Sequence, residues 1–70
     1  MTRRPNLREI RRWLLAELDH EWRTPSELQQ RLSLPGSEWY RVALILERLA
    51  ADGQAELRVG GRVRRFRSAP

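Results

Sequence analysis

Residues 54–67 read Gln54-Ala55-Glu56-Leu57-Arg58-Val59-Gly60-Gly61-Arg62-Val63-Arg64-Arg65-Phe66-Arg67. Two extended runs, 54–59 and 62–67, flank a glycine pair. Both glycines can take a positive φ without a Cβ clash, so the pair predicts a two-residue hairpin loop. In that register Leu57 faces Arg64 and Ala55 faces Phe66. Side chains alternate across a strand. Ala55, Leu57, Val59 and Phe66 therefore share one face, and Glu56, Arg58, Val63 and Arg65 share the other. A lone hairpin is marginal in water, so the apolar face must cover something.

What it covers lies upstream. Asn6 is an N-cap residue with Glu9 three positions later, the spacing of a capping box. Leu7, Leu14, Leu18 and Trp22 recur at helical spacing, with Ile10 and Leu15 beside them. This predicts a first helix over residues 7–21, with Trp22 in the core. Thr24-Pro25-Ser26-Glu27 places a hydroxyl at the N-cap, proline at N1 and glutamate at N3. It opens a short helix over residues 25–31, with Leu28 and Leu32 inward. Leu34-Pro35-Gly36 breaks that helix. A third helix starts near Ser37, carries Val42, Ile45, Leu46 and Leu49 inward, and ends at Asp52-Gly53. Trp39, near its start, is expected under the second helix. The fold class is α+β, mainly α.

At 70 residues the chain allows one domain with a small core. Residues 1–5 read as a flexible basic arm, 6–67 as the domain and 68–70 as a tail. No window is apolar enough for a membrane span, and the N-terminus lacks the apolar stretch of a secretory signal. The expected location is cytoplasmic, with no membrane partner. The chain has no cysteine, which removes disulfides and thiolate chemistry.

Charge is uneven. There are fourteen basic residues, all arginine, against nine acids. Residues 1–12 sum to +4, residues 13–56 to −4 and residues 57–70 to +5. Clustered arginine points to a polyanion partner. Its planar fork suits phosphates and base edges. No nucleophile motif or glycine-rich phosphate loop is present. Glu17, His20 and Glu21 share a helix face in this reading but sit where a solvated helix end is expected. The chain is therefore read as no enzyme, with no metal and no cofactor.

The order helix, short helix, turn, longer helix, basic hairpin resembles a winged helix-turn-helix domain, the module of MarR-, ArsR- and PadR-like regulators. Thr24-Pro25-Ser26-Glu27-Leu28 resembles the start of that family's second helix. Leu46-Glu47-Arg48-Leu49-Ala50-Ala51-Asp52-Gly53 resembles the end of its recognition helix, and Arg62-Val63-Arg64-Arg65-Phe66 the returning strand of the wing. The resemblance covers residues 7–67. It implies that the third helix enters the major groove of duplex DNA while the wing follows the backbone.

On that footing, helical rotation from Val42 places Tyr40, Arg41, Leu44, Glu47, Arg48 and Ala51 outward. Arg41 and Arg48 are expected on phosphates or guanine edges, and Tyr40 on a phosphate. Thr24, Ser26 and Ser37 lie near helix N-termini, which favour anions. Arg58, Arg62, Arg64, Arg65 and Arg67 form a phosphate-gripping wing. Ala43 and Leu44 sit mid-helix where the family offers polar groups, and residues 24–51 balance at three Arg and three Glu. Affinity is therefore assigned largely to the wing and the arm. The expected function is a small DNA-binding regulator or a phage or plasmid accessory factor; RNA is not separated from DNA. The alternative is a winged-helix adaptor for protein contacts. Trp13, beside Ile10, either covers the hairpin or forms with Ile10 a partner surface, a weak homodimer included.

Overall fold

The computed structural model describes residues 4–70. Helix α1 spans Leu7–Glu17, α2 Pro25–Arg31 and α3 Trp39–Ala51; strands β1 (Ala55–Gly60) and β2 (Val63–Ser68) form an antiparallel pair. A 3-10 turn, Gly36–Glu38, leads into α3. The fold is α+β and mainly helical.

The local signals act as their chemistry requires. Asn6 Oδ1 accepts the Glu9 N–H at 2.8 Å, and Glu9 Oε1 accepts the Asn6 N–H at 3.3 Å, closing the capping box. Thr24 Oγ1 accepts the Glu27 N–H at 3.2 Å, with Pro25 in the first turn. Two helices end alike. Gly53 lies at φ 78°, and the Gly53 and Gln54 N–H groups donate back to Ala50 and Leu49. Ser33 lies at φ 56°, and the Ser33 and Leu34 N–H groups donate to Gln30 and Gln29. Both are Schellman-type closures. Ser33, and not the expected Gly36, therefore makes the turn after α2.

The first helix is shorter than its periodicity predicts. It stops at Glu17, and Leu18 turns extended at ψ 135°. The next residues are drawn into the sheet. The Arg23 N–H donates to Phe66 O at 2.9 Å, the Phe66 N–H to Arg23 O at 2.8 Å, and the Ser68 N–H to Asp19 O at 2.8 Å. Antiparallel backbone pairing thus overrides a helical continuation. Asp19 fixes the corner: Oδ1 accepts the Glu21 N–H at 3.0 Å, and both carboxylate oxygens accept from the Arg23 guanidinium. Those bonds, Arg23's first, hold the Asp19 carboxyl down at about 2. Because the helix ends early, Glu17, His20 and Glu21 do not share a helical face.

The hairpin register also differs. Leu57 pairs with Phe66 and Ala55 with Ser68, so the loop is Gly61-Arg62 rather than Gly60-Gly61. Only Gly61 takes a positive φ, 63°, as a type II′ loop requires at its first position. The shift moves each partner by two residues, and a shift of two keeps every side chain on its face. Ala55 and Phe66 are buried on the helix side, whereas Leu57 and Val59 run past the helices and are exposed.

One core joins these elements: Ile10, Leu14 and Leu18; Leu28 and Leu34; Val42, Ile45, Leu46 and Leu49; Ala55 and Phe66. Ile10 is fully buried, which removes it from any partner surface. Trp22 is half-buried rather than core, and Trp39 is 46% exposed rather than covered by α2. Of the expected basic arm, residues 1–3 lie outside the described residues. Arg4 is anchored, its Nε donating to Glu38 Oε1 at 2.9 Å.

Phe66→Ala empties the centre of this core at a site that also carries the backbone pair to Arg23. A loss of about 3–5 kcal/mol is expected, which urea unfolding followed by circular dichroism measures. Asp19 titrates lower folded than unfolded, so its contribution is full above pH ~4 and is lost as pH falls through about 2. Asp19→Asn is expected to flatten the stability profile across that window, read from thermal midpoints at stepped pH.

Candidate nucleic-acid interface

Most carboxylates of the chain are matched by a guanidinium. Glu38 is held by Arg4 and Arg41, Asp52 by Arg11, Glu17 by Arg31, Glu47 by Arg64 and Glu56 by Arg67. Arg23 faces Asp19, Glu21 and Glu27 together. Among the described residues, Arg8, Arg12, Arg48, Arg58, Arg62 and Arg65 form no ion pair. Of these, Arg58, Arg62 and Arg65 lie on the hairpin, Arg8 and Arg48 line a groove where α1 meets α3, and Arg12 is exposed on α1.

On the hairpin, antiparallel register sets Arg58 directly opposite Arg65. Both lie on the face turned away from the helices. Like charges facing each other across a ladder are destabilising, by a few tenths to about 1 kcal/mol. Neither forms an ion pair among the described residues, because Glu56, the carboxylate of that face, is taken by Arg67. Arg58 leans over the Trp22 ring, 5.8 Å from its centroid, and Arg67 lies closer at 4.4 Å. The early end of α1 places Trp22 there, and the indole gives both cations a cation–π surface. Arg67 also donates to Glu56 Oε1 at 2.8 Å. Arg62, in the loop, opens onto a cleft shared with Trp39, Ala43 and Glu47. The hairpin tip therefore stands beside the outward side of α3.

The wing arginines expected to act together thus divide. Arg58, Arg62 and Arg65 form no ion pair among the described residues, while Arg64 and Arg67 are engaged by Glu47 and Glu56. Arg64 also projects toward α3, on the face of Phe66.

Helix α3 divides too. Tyr40 and Leu44 are 58% and 59% exposed, and Glu47, Arg48 and Ala51 are exposed with them. Arg41 is not. Its side chain is 12% exposed, and its Nη1 donates to Glu38 Oε2 at 2.6 Å. Glu38 is itself buried, at 4% exposure. The hydrogen bond from Arg41 and then that from Arg4 hold its carboxyl below the usual range, against the opposing effect of burial. Arg41 is a structural clamp at the start of α3: helical rotation from Val42 points it outward, but its guanidinium turns to the buried Glu38 carboxylate.

Thr24 is committed to its cap, accepting from the Glu27 N–H and lying 3.4 Å from Glu27 Oε1. Ser26 and Ser37 are exposed, and Trp13 is 37% exposed on α1. Periodicity sets Leu7 on the apolar stripe of the first helix, yet it is 47% exposed, and with Arg8, which no sequence signal marks, it faces Leu44 and Arg48 across a groove between α1 and α3. No periodicity joins residues 7–8 to residues 44–48; helix packing alone does.

No protein-family model, curated protein or solved structure matches this chain.

Arg41→Ala strands a buried carboxylate with one remaining partner and is expected to lower the thermal midpoint clearly. Arg48→Ala, at a solvated position, is expected within about 0.5 kcal/mol of the parent. Thermal melts of the two variants side by side check the assignment; equal melts contradict it.

Proposed function

We propose that this chain is a winged-helix module that binds duplex DNA chiefly through the phosphate backbone. The observation that carries this reading is the Arg58–Arg65 pair. Two arginines stand at opposite positions of an exposed strand pair, and neither is ion-paired among the described residues, the one carboxylate of that face being held by Arg67. An external polyanion relieves that repulsion. Arg62 at the hairpin tip and Arg48 on α3 add unpaired cations on either side of the outward surface of α3.

The element order supports the winged-helix reading. So does the short Arg23–Phe66 bridge, which adds an extended segment between α1 and α2 to the hairpin sheet. The outward surface of α3 supports a backbone-dominated mode. Tyr40 and Arg48 can reach phosphates, but Ala43, Leu44 and Ala51 carry no side-chain group to read a base edge. Arg41, held by Glu38, takes no part. Sequence preference is then weak, and affinity follows counterion release.

Fluorescence anisotropy with a random duplex across a salt series tests this. About five phosphate contacts give a log–log salt slope near −4.5. Replacing Arg58, Arg62 and Arg65 together with alanine is expected to reduce the slope by about 2.7, at roughly 0.9 per contact. Binding should weaken alike on unrelated sequences. Unchanged affinity in that variant overturns the reading. A second reading, a module for protein contact, is favoured by the exposure of Tyr40 and Leu44; partner capture that persists in high salt distinguishes it.

A further inference from the structure

The groove between α1 and α3 has a volume of about 640 Å³. Its apolar surface comes from Leu7 on α1 and from Leu44, Ile45 and Ala51 on α3. Leu7 and Leu44, 47% and 59% exposed, flank it. Its polar edge is cationic: Arg8, Arg11 and Arg48. Arg8 and Arg48 have no carboxylate partner among the described residues, and Arg11 has only a 3.6 Å pair with Asp52. Glu47, the acid of the lining, is engaged by Arg64 outside the groove.

These features select an occupant. It must bring apolar side chains along one stripe and carboxylates beside them. The groove is a trough bounded by two helices, and from Leu44 to Ala51 it runs about 10 Å, or two helical turns. A small molecule binds well when about 70–90% of its surface is enclosed. A trough leaves the upper side of its occupant in water, which suits a two-faced helix.

We propose that this groove binds an acidic amphipathic helix of a partner protein. Leucine-like anchors seat between Leu7 and Leu44, and flanking carboxylates meet Arg8 and Arg48. The proposal goes beyond the DNA reading and does not rest on it. Where both hold, they are linked: Leu44 and Arg48 belong to the outward surface of α3, so a bound helix covers part of the surface that faces a duplex. The partner then acts as a competitive antagonist of DNA.

The probe is a fluorescein-labelled peptide of about 15 residues, with leucines at i, i+4 and i+7 and glutamates along both flanks. One control has the same composition with the leucines scattered around the helix. A second replaces every glutamate with lysine. Saturable binding of the acidic amphipathic peptide alone is expected. Arg48→Glu should weaken it about tenfold, the reversal converting attraction into like-charge repulsion. Leu44→Glu should weaken it about thirtyfold, as loss of a central anchor does. Both positions are exposed, and an unchanged thermal midpoint verifies that each variant folds.

Equal binding by the scattered peptide overturns the proposal, since charge alone then suffices. So does equal binding by the lysine peptide, an unaffected Leu44→Glu variant, or no binding at about 1 mM. Duplex binding by the same samples separates the two readings. The Arg58, Arg62 and Arg65 triple variant should lose DNA and keep the peptide. If the duplex fails to bind while the peptide binds, the DNA reading falls and the groove stands.

Discussion

Phe66 joins the two halves of the molecule. Its ring is fully buried among residues of the helices, and its backbone exchanges both hydrogen bonds with Arg23. A two-stranded ribbon of six residues a side has little stability of its own. Fixed at Phe66, it becomes part of a core that also takes in Ala55. Everything the hairpin does depends on that fixation: the cations on its outer face, the loop beside α3 and the stacking of Trp22. The same residue ends α1 early, because pairing with Phe66 demands extended backbone at Arg23. Helix length at one end of the chain is thus set by a strand near the other.

Charge follows a similar logic. Arginine outnumbers acid, and the fold uses most of the acids to hold arginines in place. Arg23 with its three carboxylates staples the corner between α1 and α2. Arg41 and Arg4 converge on Glu38, where a buried carboxylate needs partners to be tolerated. Exposed pairs such as Arg31–Glu17 add little to stability. Their effect is geometric: they draw down the supply of carboxylates. Among the described residues, most of the arginines left without an ion pair sit on the hairpin or along the groove between α1 and α3.

The outward surface of α3 combines that charge with apolar exposure. Trp39, Tyr40 and Leu44 project from a helix whose inner stripe is already satisfied by the core. A surface of this kind, with cations to either side, accommodates a phosphate backbone at its margins and an apolar anchor at its centre. The two proposals use different parts of it. The hairpin arginines serve the first, and the trough beside α1 serves the second.

Local chemistry by itself determined the existence of all three helices and the hairpin. The Asn6–Glu9 box, the Thr24 cap with Pro25 and the Gly53 stop each act within a few residues, and the apolar period of α3 is written along the chain although its stabilisation comes from packing against the other elements. The strand faces were legible too, because a register error of two leaves them intact. Tertiary structure decided the rest. The end of α1 and the fate of Trp22 depend on pairing with Phe66, some forty residues away. The burial of Ile10 depends on what packs over α1. Which arginines are free depends on where Glu38, Glu47 and Glu56 come to lie, and a guanidinium finds its carboxylate through space rather than along the chain. The groove of Leu7, Arg8, Leu44 and Arg48 exists only because two helices distant in sequence pack side by side, and no pattern within either helix encodes the other.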